Sequence, residues 1–306
     1  MALTPNMRGA SFMAISQASF TTNDVMVKLA TVSIGIGQIM MVRGIFASIL
    51  MGFLVWRLGQ KLPLASLRHP AVLTRIVGEF GGTTTFLMAL SHLPIANVSA
   101  VFQALPLAIT MTAALFLGEK VGPRRWIAIL VGFIGVLIIV RPGVEGFNSY
   151  TLYVIACVGF CSVRDLATRS IPADIPSSFM SLVTAATVAM LGAVLIPFTG
   201  GWVDMTGETT LLLAGAAVFV LIGYQTIIQS MRVGDISFVA PFRYVSLIWA
   251  IAGGFLVFGT MPDGAMLFGA AIVVASGLYT LYRERVVGRS MPVTETSKEP
   301  PAVDGV

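Results

Sequence analysis

Ten stretches of mostly apolar residues recur along the chain, at 9–31, 38–56, 71–91, 95–117, 126–140, 149–168, 178–198, 209–231, 236–260 and 265–282, with short polar segments between them. A helix that crosses the hydrocarbon core of a bilayer takes about 20 such residues, so each stretch reads as a spanning helix. Five of them (95–117, 126–140, 178–198, 209–231 and 265–282) are apolar almost throughout, and the other five carry a polar side chain inside the run. The closing segment SMPVTETSKEPPAVDGV is polar and Pro-rich, with no apolar period. It has too little to bury to fold, and a disordered tail is expected over 286–306.

Composition removes the soluble alternative. A chain of 306 residues with 56% hydrophobic and 11% charged residues has too few polar groups to coat a globule of its size. Its 31 glycines suit helices that approach closely in lipid. The first apolar stretch carries Asp24 and Lys28 and has no A-x-A cleavage pattern, so it is read as a retained helix and not a signal peptide.

The formal net charge of +5 comes from Lys and Arg in short clusters between apolar runs, which gives no basic face for nucleic acid. With the N-terminus placed inside, Arg8, Arg57, Lys61, Arg68, Lys120, Arg124, Arg125, Arg169, Arg232, Arg283, Arg285, Arg289 and Lys298 fall on the cytoplasmic side. Arg141 alone falls in a loop on the other side, while Lys28, Arg43, Arg75, Arg164 and Arg243 sit within helices or at their ends. That bias of basic loops predicts ten helices with both termini cytoplasmic, in a cell inner membrane.

The two halves of the chain resemble each other at an offset near 140. Asn23-Asp24 with Lys28 aligns with Arg164-Asp165 and Arg169 at 141, and "ANVSAVFQ", ending in Gln103, aligns with "ISFVAPFR", ending in Arg243, at 140. Five helices per repeat is odd, so the second half must enter the membrane upside down relative to the first. The expected fold is therefore all-α integral membrane, with ten transmembrane helices as two inverted five-helix repeats, 8–141 and 149–285. Such repeats recur in secondary transporters, where two bundles rock about a central site by alternating access.

The segment "FLGEKVGPRRWIAILVGFIGVLIIVRPG" at 116–143 resembles the end of the first repeat of EamA-type drug/metabolite transporters, and "MPDGAMLFGAAIVVASGLYTLYRER" at 261–285 resembles that family's second-repeat ending. The resemblance covers about residues 8 to 285 and implies two five-helix EamA domains. One bacterial branch of the family imports riboflavin, and the overall look of the chain, including "GASFMAISQASFTTNDVMVKL", is similar to it. The resemblance therefore implies a carrier of a small organic metabolite, with riboflavin uptake as the leading substrate. Export of amino acids, nucleoside-like metabolites or drugs is the alternative within transport.

Ionisable groups at membrane depth are costly unless paired or hydrated, so each is a functional candidate. Asp24, Arg43, Glu79, Asp165 and Arg243 qualify. Asp24 with Lys28, and Asp165 with Arg169, lie one turn apart on a helix and invite pairing within it. In the inverted topology each pair could also belong to one gate. Glu79 is the carboxylate expected to reach Arg43, which leaves Arg243 without an obvious protein partner and free for substrate. Phe242, Tyr244 and Trp249 on helix 9, Asn97, Phe102 and Gln103 on helix 4, and Tyr224 with Gln225 on helix 8 complete the expected site, because aromatic faces with a few amides suit a flat heterocycle. Packing is the alternative role for each of these taken singly.

Pro106 and Pro241 should interrupt helices 4 and 9, and Gly78 with Gly82 should permit close packing on helix 3. Cys157 and Cys161 lack zinc-ligand spacing, and His69 and His92 fall near helix ends without a ligand partner. No nucleophile with a base and no phosphate-cradling loop is visible, so neither an enzyme nor a cofactor is expected. A membrane receptor or scaffold is the rival from another class, and the short loops speak against it.

Overall fold

In the computed structural model, residues 4–60, 62–119, 121–142, 148–172, 175–234 and 236–287 are described, and among them the chain is helical throughout, with no strand. The helices are α1 (Pro5–Ala30), α2 (Ile36–Arg57), α3 (Pro70–His92), α4 (Ile95–Phe102), α5 (Leu105–Phe116) and α6 (Pro123–Val140) in the first half. The second half contributes α7 (Thr151–Arg169), α8 (Ser177–Leu195), α9 (Gly207–Val233), α10 (Ile236–Val239), α11 (Val245–Phe258) and α12 (Gly264–Val287). Among the described residues, eight segments are long and apolar enough to cross a membrane. Helices α1 and α3, with 26 and 23 residues, have the length but carry the buried polar groups described below. Lys61, Lys120 and the tail from residue 288 lie outside the described residues.

Local chemistry sets the helix starts. Pro5 and Pro70 occupy first-turn positions, where a missing N–H costs nothing. Thr4 Oγ1 accepts from the Met7 N–H at 3.3 Å, and His69 Nδ1 accepts from the Ala71 N–H at 3.2 Å. His69 is thus a cap, and His92 stacks flat on Tyr150 with ring centres 3.6 Å apart. At the far end of α6, Arg141 takes a left-handed φ of 49° and pairs with Asp263, whose carboxylate also caps α12 by accepting from the Met266 N–H.

The two helices expected to be interrupted by proline are split. A turn at Gln103–Ala104 separates α4 from α5, and a 3-10 segment, Ala240–Tyr244, separates α10 from α11. Proline is the reason in both. Pro106 and Pro241 have no N–H to offer the carbonyl four residues earlier, so the α-helical ladder breaks just ahead of each.

The most extensive packing is between halves: α1 on α9, α2 on α8, α3 on α7 and α6 on α12. Glycine permits the approach. A Cβ on Gly44 of α2 would lie 2.8 Å from the Ala189 Cβ of α8, and one on Gly192 of α8 would lie 2.7 Å from the Met40 Cβ of α2. Hydroxyls bridge the same interfaces, with Ser16 Oγ donating to the Gly223 carbonyl and Ser230 Oγ to the Gly9 carbonyl across α1 and α9. These polar links suit association in lipid, where expelling water supplies no drive.

Candidate functional site

Five ionisable side chains converge inside the bundle, on α1, α2, α3 and α7. On α1, Asn23 Nδ2 donates to Asp24 Oδ1 at 2.8 Å, and Arg43 of α2 donates to Asn23 Oδ1 at 3.2 Å. On α7, Arg164 Nε donates to Asp165 Oδ1 at 2.8 Å, and its NH1 reaches Glu79 of α3 at 3.3 Å. Each cluster joins a residue to the aspartate that follows it, and the two pairs, 23–24 and 164–165, lie 141 positions apart in sequence.

The second cluster is not sealed off. Arg164, Asp165 and Glu79 keep 21%, 27% and 13% of their side-chain surface accessible although they sit within the helical bundle. Tyr224 of α9 keeps 38% and stands edge-on to Phe20 of α1, with ring centres 5.3 Å apart. Arg43 is within electrostatic reach of Asp24, Tyr224 and Glu79, which links the two clusters.

Several pairings differ from those expected. Lys28 does not pair with Asp24: its ammonium donates to the Leu90 and Leu93 carbonyls at the end of α3, 2.7 and 2.5 Å away, and lies over the Phe258 ring. Those end carbonyls have no helical partner and bring the negative end of a helix dipole, which makes them good acceptors for a cation. Arg169 likewise leaves Asp165 and pairs with Glu119 at 2.9 Å. Glu79 is held by Arg164 and not by Arg43, because Gly78 lets α3 close onto α7: a Cβ there would lie 2.9 Å from the Arg164 Cβ.

The expected aromatic and amide site is spread more widely. Gln103 is buried and donates to Ser246 Oγ at 2.8 Å and to the Tyr244 carbonyl at 3.4 Å, tying the break in one split helix to the break in the other. Tyr244 is buried, and its hydroxyl presses on Gly277 of α12 without a hydrogen-bond partner among the described residues. Phe102 stacks edge-on against Phe86 at 6.0 Å, and Phe242 lies against Phe238 at 5.8 Å. Arg243 is half-buried in the 3-10 segment and meets no partner among the described residues; Asn97 and Gln225 are half-buried, and Trp249 is 42% exposed.

From sequence, Asn23 and Arg164 were noted for the repeat alone, and Phe20 not at all, so none of the three was placed in the site. A signal was present: Asn23 and Arg164 each precede an aspartate, 141 positions apart, and Phe20 lies one turn before Asp24 on the same face.

The model of the family described as "EamA-like transporter family" matches residues 7–141. The riboflavin transporter of Rhizobium johnstonii is 30% identical over 235 residues, which cover 74% of this chain and 75% of that protein. The chain belongs to the EamA-like transporter family. The riboflavin transporter of Vibrio cholerae is 29% identical over 88% of this chain and 91% of its own length. The S-adenosylmethionine uptake transporter of Rickettsia bellii is 26% identical over 90% and 94%. A crystal structure with 20% identity matches at a TM-score of 0.64 over 92% of this chain and 99% of its own, which shows the fold alone. The EamA chain is therefore a multi-pass membrane protein of a transporter family.

Proposed function

We propose that the chain is a secondary transporter that takes up riboflavin across a bacterial inner membrane by alternating access. One observation carries the mechanism: two polar clusters, Asn23–Asp24–Arg43 and Glu79–Arg164–Asp165, are built on dipeptides 141 positions apart, 23–24 and 164–165, and Arg43 is within electrostatic reach of both Asp24 and Glu79. Two relatives named riboflavin transporters support the cargo.

The packing supports ten spans in two inverted repeats. Gly82 faces Cys161 across α3 and α7, and Gly223 faces Phe20 across α9 and α1; moving each partner 141 positions turns one contact into the other. Gly44 with Ala189 and Gly192 with Met41 exchange in the same way at 148. A fold whose contacts exchange under swapping its halves has two related states in which either end opens. With both termini cytoplasmic, Asn23–Asp24–Arg43 lies toward the outer face and Glu79–Arg164–Asp165 toward the cytoplasm. Each cluster then belongs to one gate, and the roles given above to Arg243 and its neighbours remain part of the proposal.

The second reading, uptake of S-adenosylmethionine, rests on the relative of that name, and the carboxylates Asp24, Glu79 and Asp165 suit a cationic cargo. Uptake of labelled riboflavin and of labelled S-adenosylmethionine by a riboflavin-auxotrophic bacterium expressing the chain separates the two. Saturable riboflavin uptake, lost in Arg43→Ala at equal membrane expression, is the expected result. Saturable uptake of S-adenosylmethionine alone would transfer the proposal to that cargo, and accumulation of neither, with export from loaded vesicles, would reverse the direction.

A further inference from the structure

Arg43 and Asp24 carry opposite charges at membrane depth, yet they do not bond to each other. The amide of Asn23 stands between them, its carbonyl accepting from Arg43 at 3.2 Å and its N–H donating to Asp24 at 2.8 Å. The pair thus already grips one amide edge, a C=O beside an N–H, by donor and acceptor respectively. Its capacity is not used up. A guanidinium has five N–H donors and a carboxylate two oxygens, and among the described residues each group makes this one hydrogen bond. Asn23 itself is buried and 4% exposed, with both of its polar ends engaged, so it holds the two charges apart at amide spacing.

Two aromatic rings lie near this edge, and Tyr224 is within electrostatic reach of Arg43. Phe20 is one helical turn before Asp24 on the same face of α1, and its ring meets Tyr224 edge-on at 5.3 Å. Gly223 allows the approach, since a Cβ there would lie 2.8 Å from the Phe20 ring.

We propose that Arg43 and Asp24 read the ring-amide edge of a flat heterocyclic substrate, Arg43 donating to its carbonyl and Asp24 accepting from its adjacent N–H, while Phe20 and Tyr224 hold the ring plane. The inference rests on the riboflavin reading above, because the isoalloxazine ring of riboflavin carries a cyclic imide, an N–H flanked by two carbonyls. It assigns which part of the cargo this protein recognises and makes the ribityl chain secondary. Replacing that N–H by N–CH3 leaves the ring and its carbonyls intact, removes the donor that Asp24 accepts and adds one methyl group there, and the Asp24→Ala companion reads the change with that carboxylate gone. A site built around a hydrogen bond rejects the analogue that lacks it more strongly than a site built on apolar contact does.

The test is binding of riboflavin, and of riboflavin methylated at the ring imide nitrogen, to the purified full-length protein in detergent, with Asp24→Ala as a companion. Unaltered protein should bind riboflavin at least ~10-fold more tightly than the methylated analogue, and the difference should shrink below about threefold in Asp24→Ala. Equal binding of the two ligands by the unaltered protein would overturn the edge assignment and leave the riboflavin reading standing. Failure of both to bind a protein shown by its melting transition to be folded would overturn the riboflavin reading, and the edge assignment with it. The comparison of ligands uses the unaltered chain, so it decides the matter even if Asp24→Ala does not fold.

Discussion

Replacing Arg164 by Leu should cost more stability than any other single charge removal in the interior, because one guanidinium serves two carboxylates. It donates to Asp165 at 2.8 Å and to Glu79 at 3.3 Å, with 27% and 13% of those side chains accessible. Breaking a buried ion pair from one side costs about 3–5 kcal/mol, since the partner's charge is left in a poor solvent. Partial accessibility places Arg164→Leu near the lower end, at about 3 kcal/mol. Glu79→Gln alone leaves Arg164 with Asp165 and should cost about 1 kcal/mol. With Glu79 already neutral, losing Arg164 strands one carboxylate and not two. The double variant should therefore be more stable than the sum of the single losses implies, by roughly 1–2 kcal/mol. Thermal melting of purified protein in detergent measures this, with Arg164→Leu lowering the midpoint by on the order of 5 °C or more. Losses that add within about 0.5 kcal/mol would show that Glu79 does not depend on Arg164 and would refute the description of the α3 and α7 cluster.

Lys28→Met combined with Asp24→Asn should give single effects that add within about 0.5 kcal/mol, because Lys28 donates to the Leu90 and Leu93 carbonyls and not to Asp24; a larger coupling would restore the pairing within the helix. Gly44→Val and Gly192→Val should each force α2 and α8 apart and cost about 1–3 kcal/mol, with uptake reduced in both; an unchanged melting midpoint in either would contradict the close approach at Ala189 and Met40. Gln103→Leu should lose about 1 kcal/mol and slow uptake at unchanged expression, since it unties the two broken helices at Ser246 and Tyr244. Wild-type uptake in that variant would show the link to be dispensable for movement.

The membrane class, the helical content and the two proline breaks were determined by sequence alone, because each follows from short-range physics. An apolar run of spanning length has few alternatives to a helix, since every backbone polar group in lipid must find a partner within its own segment. Proline removes a donor wherever it stands, so Pro106 and Pro241 marked their interruptions before any packing was known. The match of Asn23-Asp24 with Arg164-Asp165 was legible for a similar reason, as a polar dipeptide that recurs inside two apolar stretches.

Only the tertiary structure decided who pairs with whom. Along one helix, Lys28 and Arg169 are each one turn from an aspartate, and a rule based on spacing joins them to it. In the folded chain the ends of neighbouring elements offer better acceptors, the uncapped carbonyls of α3 for Lys28 and the Glu119 carboxylate for Arg169. Glu79 went to Arg164 and not to Arg43 because Gly78 brings α3 onto α7, and which helix a glycine meets is a long-range fact that spacing does not contain. The internal site shows the same division: the charged residues were visible one by one, but their convergence with Phe20, Asn23 and Tyr224 depends on how α1, α2, α3, α7 and α9 pack together.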